Sequence, residues 1–367
     1  MKGFEDGSSA FAKDMRRGRG AVTNTSGRFE NQDRVVSDDG WSSLEDLAQH
    51  NTKTSVTLET PRSIITKNQS PDIPFDRSIN PYRGCEHGCI YCFARPTHAF
   101  LGLSPGLDFE AKLFAKPDAP QLLEKELRSK NYHPQPIAIG TNTDPYQPID
   151  RQYRLMRQLL DVLRSFNHPV TITTKSALIL RDIDILADMA TQGLVSVAIS
   201  VTSLDAKLSR VMEPRASTPM KRLAAVSVLR EAGIPVGVLT SPMIPAINDH
   251  ELEDILSASK NAGALWASYI LLRMPFEIKH LFREWLYENF PDRADKVIKL
   301  IKDTRGGKDY DAQWGKRMKG EGQYAELLAS RFKLAKRKYG LDNKTPPLRT
   351  DLFQPPLATG DQLALFG

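Results

Sequence analysis

The chain has 367 residues, of which 40% are hydrophobic and 26% charged, and its formal net charge is +6. These are ordinary values for a soluble globular protein and exclude collagen-like, coiled-coil and wholly disordered readings. No apolar run reaches the roughly 18 residues that a membrane span needs, and the first residues lack the apolar core of a secretion signal, so a cytoplasmic location is expected.

In chain order, residues 1–60 read as a poorly ordered lead-in, dominated by Ser, Asn, Asp and Gly. Residues 61–275 change to alternating strands and helices. One strand leads into a cysteine-containing loop near residue 85. Ile137-Ala138-Ile139-Gly140 is a short apolar strand, and Arg151 to Phe166 is an amphipathic helix with Leu155, Leu159, Val162 and Phe166 on one face. Strands are expected next at Val170–Thr174 and Val195–Ile199. Thr218-Pro219 opens a helix that Gly233 ends, and strands follow at Val236–Leu239 and within Ala264–Leu272. Six strands separated by helices imply a parallel sheet with right-handed crossovers. The stretch is short for eight β/α units, so an α/β fold with a partial parallel (β/α)6 barrel is expected. Its chemistry belongs at the carboxyl ends of the strands.

Residues 276–345 read as a helical, basic C-terminal extension, and residues 346–367 as an extended tail. Residues 290–350 hold sixteen Lys/Arg against eight Asp/Glu, whereas residues 1–50 hold seven against nine. A basic region of this kind suits a polyanion such as nucleic acid. Within it, Thr304-Arg305-Gly306-Gly307-Lys308 and Gly315-Lys316-Arg317 are candidates to grip phosphates.

The three cysteines, Cys85, Cys89 and Cys92, lie within eight residues of one another. Three thiols so close cannot make a disulfide framework, and read instead as metal or redox chemistry. A C-x3-C-x2-C loop can hold three corners of a cubane [4Fe–4S] cluster and leave the fourth iron open, as a reactive site requires. The alternative is a Cys3His zinc site completed by His87 or His98. That site would serve a non-catalytic, zinc-stabilised nucleic-acid-binding protein.

The loop, with Tyr91 as the aromatic residue before the third cysteine, resembles the signature of the radical S-adenosylmethionine (SAM) superfamily. Gly140-Thr141-Asn142-Thr143-Asp144-Pro145-Tyr146, Thr174-Lys175-Ser176 and Ile199-Ser200-Val201-Thr202 are similar to motifs of its spore photoproduct lyase-like branch, often labelled DNA repair photolyases. The resemblance implies a [4Fe–4S] cluster on Cys85, Cys89 and Cys92 and a barrel of radical SAM type. It also implies reductive cleavage of SAM to a 5′-deoxyadenosyl radical, an external one-electron donor, and a lyase-like reaction on nucleic acid, with DNA favoured. By matching position, Thr143 and Asp144 would face the SAM amino group, and Lys175 and Ser200 its carboxylate and ribose. Arg215 would make a second contact to the carboxylate or to a substrate phosphate. Asn248 is a further candidate. Two departures matter: no fourth cysteine remains to return a hydrogen atom, and Phe93 stands where the branch carries tyrosine. Tyr91 is left as the candidate relay. RNA or a protein side chain is the alternative substrate of the same initiator. Gln362-Leu363-Ala364-Leu365-Phe366 resembles the peptide by which bacterial repair proteins dock on a sliding clamp, so the clamp is an expected partner.

Overall fold

A computed structural model describes residues 18–30, 53–343 and 347–357. The clamp-like peptide Gln362–Phe366 lies outside these residues. The chain forms β1 (Ser55–Leu58) and β2 (Ile65–Lys67), then β3 (Arg77–Ile79) and β4 (Tyr82–Arg83), and after the cysteine loop returns as β5 (Lys112–Ala115). Strands β6 (Ile137–Ile139), β7 (Val170–Thr174), β8 (Val195–Ser200), β9 (Val236–Met243) and β10 (Trp266–Leu271) follow, each reached through a helix. The main sheet has the order β10-β9-β8-β7-β6-β3-β2, with β2 antiparallel to β3 and every other pair parallel. Six parallel strands in sequence order make the expected partial barrel. It is open, because β2 and β10 are its edges.

The parallel strands form because their residues are apolar and β-branched on both faces. Ile137, Ile139, Val170, Ile172, Val195, Val197, Val236 and Val238 are all fully buried. Leu159, Leu160 and Leu163 cover them from the helix Leu155–Ser165. That helix begins four residues later than its periodicity predicts. Arg154 takes a left-handed conformation (φ 52°) and separates it from a short turn, Asp150–Tyr153. Met156, Leu160 and Leu163 join the buried face, while Val162 is only half buried. The helix Pro219–Glu231 ends as expected at Gly233, whose φ of 78° suits glycine.

Two parts of the architecture depart from the sequence reading. A second sheet, β1-β5-β4, carries residues expected to be lead-in. Residues 18–30, also expected to be poorly ordered, form a strap in which Arg19, Ala21, Val22 and Thr23 are buried. The strap lacks hydrophobic periodicity because polar contacts hold it: Asn24 pairs reciprocally with Asp108, and Thr23 donates to Glu284. After β10, helices Ile278–Asn289 and Ala294–Asp303 bury Phe282, Trp285, Leu286 and Val297. These join Cys89, Ile90, Tyr91 and Met212 in a second core beneath the cysteine loop. The helix Gly322–Lys338 packs on the outside of the barrel, where Arg331 pairs with Glu253. Residues 347–357 run across the opposite end, with Phe353 against Tyr132, Phe166 and His168. Among the described residues no helix is long and apolar enough to cross a membrane.

Several basic residues read as phosphate grips are engaged within the protein. Arg305 is buried and donates to the carbonyls of Leu272 and Lys316. Lys316 pairs with Glu321 and Arg317 with Asp72. Arg305 and Arg317 tie the C-terminal loop to Leu272, after β10, and to Asp72, between β2 and β3.

Candidate active site

The cysteine loop follows β4 and is shaped by glycine and by one buried ion pair. Gly84 and Gly88 have φ of 73° and 66°. A Cβ on Gly84 would stand 2.8 Å from the Phe109 carbonyl oxygen, so only glycine lets the loop lie this close to its support. Arg95 is fully buried and donates to the carbonyls of Gly88, Cys89, Pro105 and Gly106. Its remaining partner is the equally buried Glu110 carboxylate, 2.5 Å away. Glu110 in turn accepts the N–H of Gly20 and of Ala21, at 2.9 and 2.8 Å. The strap is thus fastened to the loop through the carboxylate that balances Arg95. An unpaired charge buried at this depth would cost several kcal/mol, so the clasp is complete or absent.

Cys85 and Cys89 are buried and Cys92 is partly buried, all as free thiols. Burial pushes the Cys85 and Cys89 thiols well above the ordinary range and raises Cys92 as well. Amide N–H groups face two of the sulfurs, from Asp144 at Cys85 and from Ala94 and Arg95 at Cys92. Buried sulfurs that receive amide hydrogen bonds fit thiolate ligands of an iron–sulfur cluster, whose potential such bonds tune. Among the described residues no three His, Cys, Asp or Glu side chains gather as a single-ion site. The proposed fourth zinc ligands have other surroundings: His98 donates Nε2–H to the Lys112 carbonyl (2.9 Å), and His87 Nδ1 lies 3.4 Å from Asp144. The donor set fits a cluster better than zinc.

Lys175, at the end of β7, projects into the same space. Its ammonium lies 3.3 Å from Glu213, 3.4 Å from Thr202 Oγ1 and 5.5 Å from the Tyr91 ring centre. Burial lowers its pKa to about 8, against the opposing influence of Cys89. Glu213 is the hub: it accepts hydrogen bonds from Tyr91, from Thr202 and from the buried Arg222. Arg222 also donates to the carbonyl of Ser200 and so ties the end of β8 into the network. Glu213 faces both Lys175 and Arg222, and the charge of Asp144 also acts on Lys175, so the Lys175 ammonium is the cationic group beside the thiols. An anionic carboxylate can be received there.

The remaining expected residues converge on the same face with varied duties. Thr143 is buried and spends its hydroxyl on the Tyr82 carbonyl (3.0 Å). Asp144 accepts from Thr174, from the Lys175 amide and from the Tyr146 amide, and so braces the loop after β6 against the end of β7. Burial works against its charge, yet His87 and these donors hold its pKa below the usual carboxylate value. Ser200 is buried at the end of β8. Arg215 pairs with Glu86 (3.1 Å) and donates its amide to the His87 carbonyl. Asn248 is a staple between β8 and β9, accepting from the Ile244 amide and donating to the Thr202 and Pro242 carbonyls. Sequence reasoning missed Glu213, Arg222, Arg95 and Glu110, and quoted Thr202 in a motif without giving it a role. Charges alternating with apolar residues, as Asp108 and Glu110 do in Leu107–Ala111, were the available signal.

Residues 79–258 match the family described as the radical SAM superfamily. An uncharacterized protein of Mycobacterium tuberculosis is 35% identical over 232 residues, which are 63% of this chain and 68% of that protein. An uncharacterized protein of Methanocaldococcus jannaschii is 27% identical over 221 residues, 60% of this chain and 78% of its own. The fold is similar to that of a spore photoproduct lyase mutant, with a TM-score of 0.57 and 16% identity over 85% of this chain and 86% of that one. It is also similar to spore photoproduct lyase complexed with dinucleoside spore photoproduct, with a TM-score of 0.58 and 16% identity over 84% and 85%.

Proposed function

The chain belongs to the radical SAM superfamily, and from that premise we propose that this enzyme cleaves SAM reductively to act on a nucleic acid, DNA before RNA. The superfamily uses a [4Fe–4S] cluster and SAM, which together supply one-electron cleavage of the sulfonium bond in a site that the protein shapes and keeps dry. Cys85, Cys89 and Cys92 would hold the cluster. Lys175 would receive the carboxylate of SAM, and Ser200 would hold its ribose. Glu213 keeps the Lys175 ammonium in place, and Arg222 faces the other oxygen of Glu213. Asp144 works through the loop it braces, since its own oxygens already hold three donors. Arg215 stands at the rim, anchored by Glu86.

The observation that carries this reading is the Lys175 ammonium set among Cys89, Tyr91 and Glu213 at the carboxyl ends of the strands. Every cysteine is committed to the cluster. Tyr91 is therefore the residue suited to handle a returning hydrogen atom, with its hydroxyl held by Glu213. The nucleic-acid substrate is supported by the basic excess in residues 290–350 and by the fold likeness to a protein solved with a dinucleoside photoproduct.

Binding of fluorescent single-stranded and duplex DNA, and of RNA of the same sequence, tests the substrate class across a salt series. Phosphate contacts require affinity to fall linearly on a log–log plot. The expected result is salt-dependent binding with DNA at least as tight as RNA. No binding, or affinity indifferent to salt, would remove nucleic acid and favour a protein side chain.

A further inference from the structure

Beside the cysteine loop lies a cavity of about 220 Å³ that shares only the rim residue Arg215 with the cluster and SAM sites. Its wall contains three cationic side chains, Arg151, Arg215 and Lys221, and none of its lining residues is a carboxylate. Arg215 is balanced by Glu86. Arg151 and Lys221 are exposed and have no ion pair among the described residues. Two cations are therefore left facing one space without a counter-charge.

Backbone geometry adds to this. Thr218 and Lys221 line the cavity at the start of the 13-residue helix Pro219–Glu231. Thr218 occupies the N-cap position but makes no capping hydrogen bond. The first-turn amides after Pro219 have no partner within the helix, and the positive end of the helix dipole meets the cavity. Such an end favours an anion. A second, independent feature points the same way. The Tyr146 hydroxyl finds no hydrogen-bond partner, although Tyr146 is 0% exposed and lines the cavity. Buried polar groups are nearly always satisfied, so an orphan hydroxyl in this wall implies a ligand or ordered solvent there.

We propose that this cavity binds a phosphate group. Arginine forks, a lysine and amides at a helix start suit an acceptor with several oxygens and more than one negative charge. His87 lies between two cluster cysteines, and Ser176, also in the wall, follows Lys175. A phosphate held there is beside the cofactor site. Its source, as a phosphodiester of a nucleic-acid strand, rests on the function proposed above; free phosphate is the other source of the same chemistry.

The test uses the full chain with its cluster reconstituted, as wild type and as the Arg151→Gln/Lys221→Gln double variant. Both positions are exposed, so the substitutions leave the core alone. Two probes are titrated separately: inorganic phosphate, followed by ³¹P line broadening against a chloride control of equal ionic strength, and a single-stranded thymidine oligonucleotide. The expected result is phosphate binding that weakens at least tenfold in the double variant. The oligonucleotide is expected to displace phosphate and to weaken in parallel. No phosphate binding beyond the chloride control, or equal binding by the variant, would overturn the proposal, even if the oligonucleotide binds elsewhere. Phosphate binding lost in the variant, with no oligonucleotide binding at all, would keep the cavity as a free-phosphate site and reject the nucleic-acid substrate instead.

Discussion

Replacing Gly20 by alanine probes the fastening of the strap to the cysteine loop. A Cβ at this position would stand 2.0 Å from the carbonyl oxygen of Gly88, and that atom is backbone that cannot swing aside. Relief requires the strap to lift, which breaks the Gly20 and Ala21 hydrogen bonds to Glu110. Bonds to a charged acceptor contribute about 1.5–3 kcal/mol each, so the two together set an expected loss of about 3–6 kcal/mol. With urea slopes of about 1–3 kcal/mol/M, or more for a larger chain, the midpoint should fall by on the order of 1 M or more. The lifted strap also bares the loop beneath it, so bound iron should be lost faster in air. The assay is urea unfolding and iron content of reconstituted protein, beside Gly18→Ala. Gly18 has open space around it, and there only the left-handed backbone (φ 80°) should cost on the order of 1 kcal/mol. A Gly20→Ala protein with the midpoint and iron lifetime of Gly18→Ala would refute the clasp.

Two other perturbations reach different parts of the molecule. Glu213→Gln keeps the shape of the hub but removes the charge facing Lys175 and Arg222. SAM binding by equilibrium dialysis should weaken at least tenfold, and the pH at which binding is lost should move downward. Unchanged affinity together with an unchanged pH profile would show that Glu213 does not set the state of Lys175. His168 concerns stability. Burial lowers its pKa to about 4, with Nδ1–H donated to the Pro169 carbonyl and Nε2 accepting from Tyr132. The folded value lies below the unfolded one, near 6.5. Its neutral form therefore contributes full stability above pH 6.5, and that contribution is lost as pH falls towards 4, by about 3 kcal/mol in all. The stability difference between wild type and His168→Gln should shrink over this interval in urea titrations; a constant difference would contradict the assignment.

The parts of the molecule that are local in sequence were legible, and the parts that depend on distant partners were not. Val170–Thr174 and Val236–Leu239 announce themselves as strands because a parallel sheet buries both faces. The cysteine spacing and Lys175 at a strand end pointed to the candidate site. The start of the helix at Leu155 depended on one left-handed residue, Arg154, that periodicity does not encode. The strap was read as disordered because its stability resides in Glu110 and Asp108, more than 80 positions away. Glu213 and Arg222 belong to the same class, since a buried ion pair leaves no repeating pattern. The basic loop erred in the other direction: Arg305 looked free in sequence but is buried against two carbonyls.

The central claim is tested most directly by measuring 5′-deoxyadenosine formed from SAM by anaerobically reconstituted, chemically reduced protein, with Cys89→Ala alongside. The expected result is product from the wild type and none from the variant. A wild type that carries its full complement of iron and sulfide, binds SAM and still forms no 5′-deoxyadenosine would contradict it.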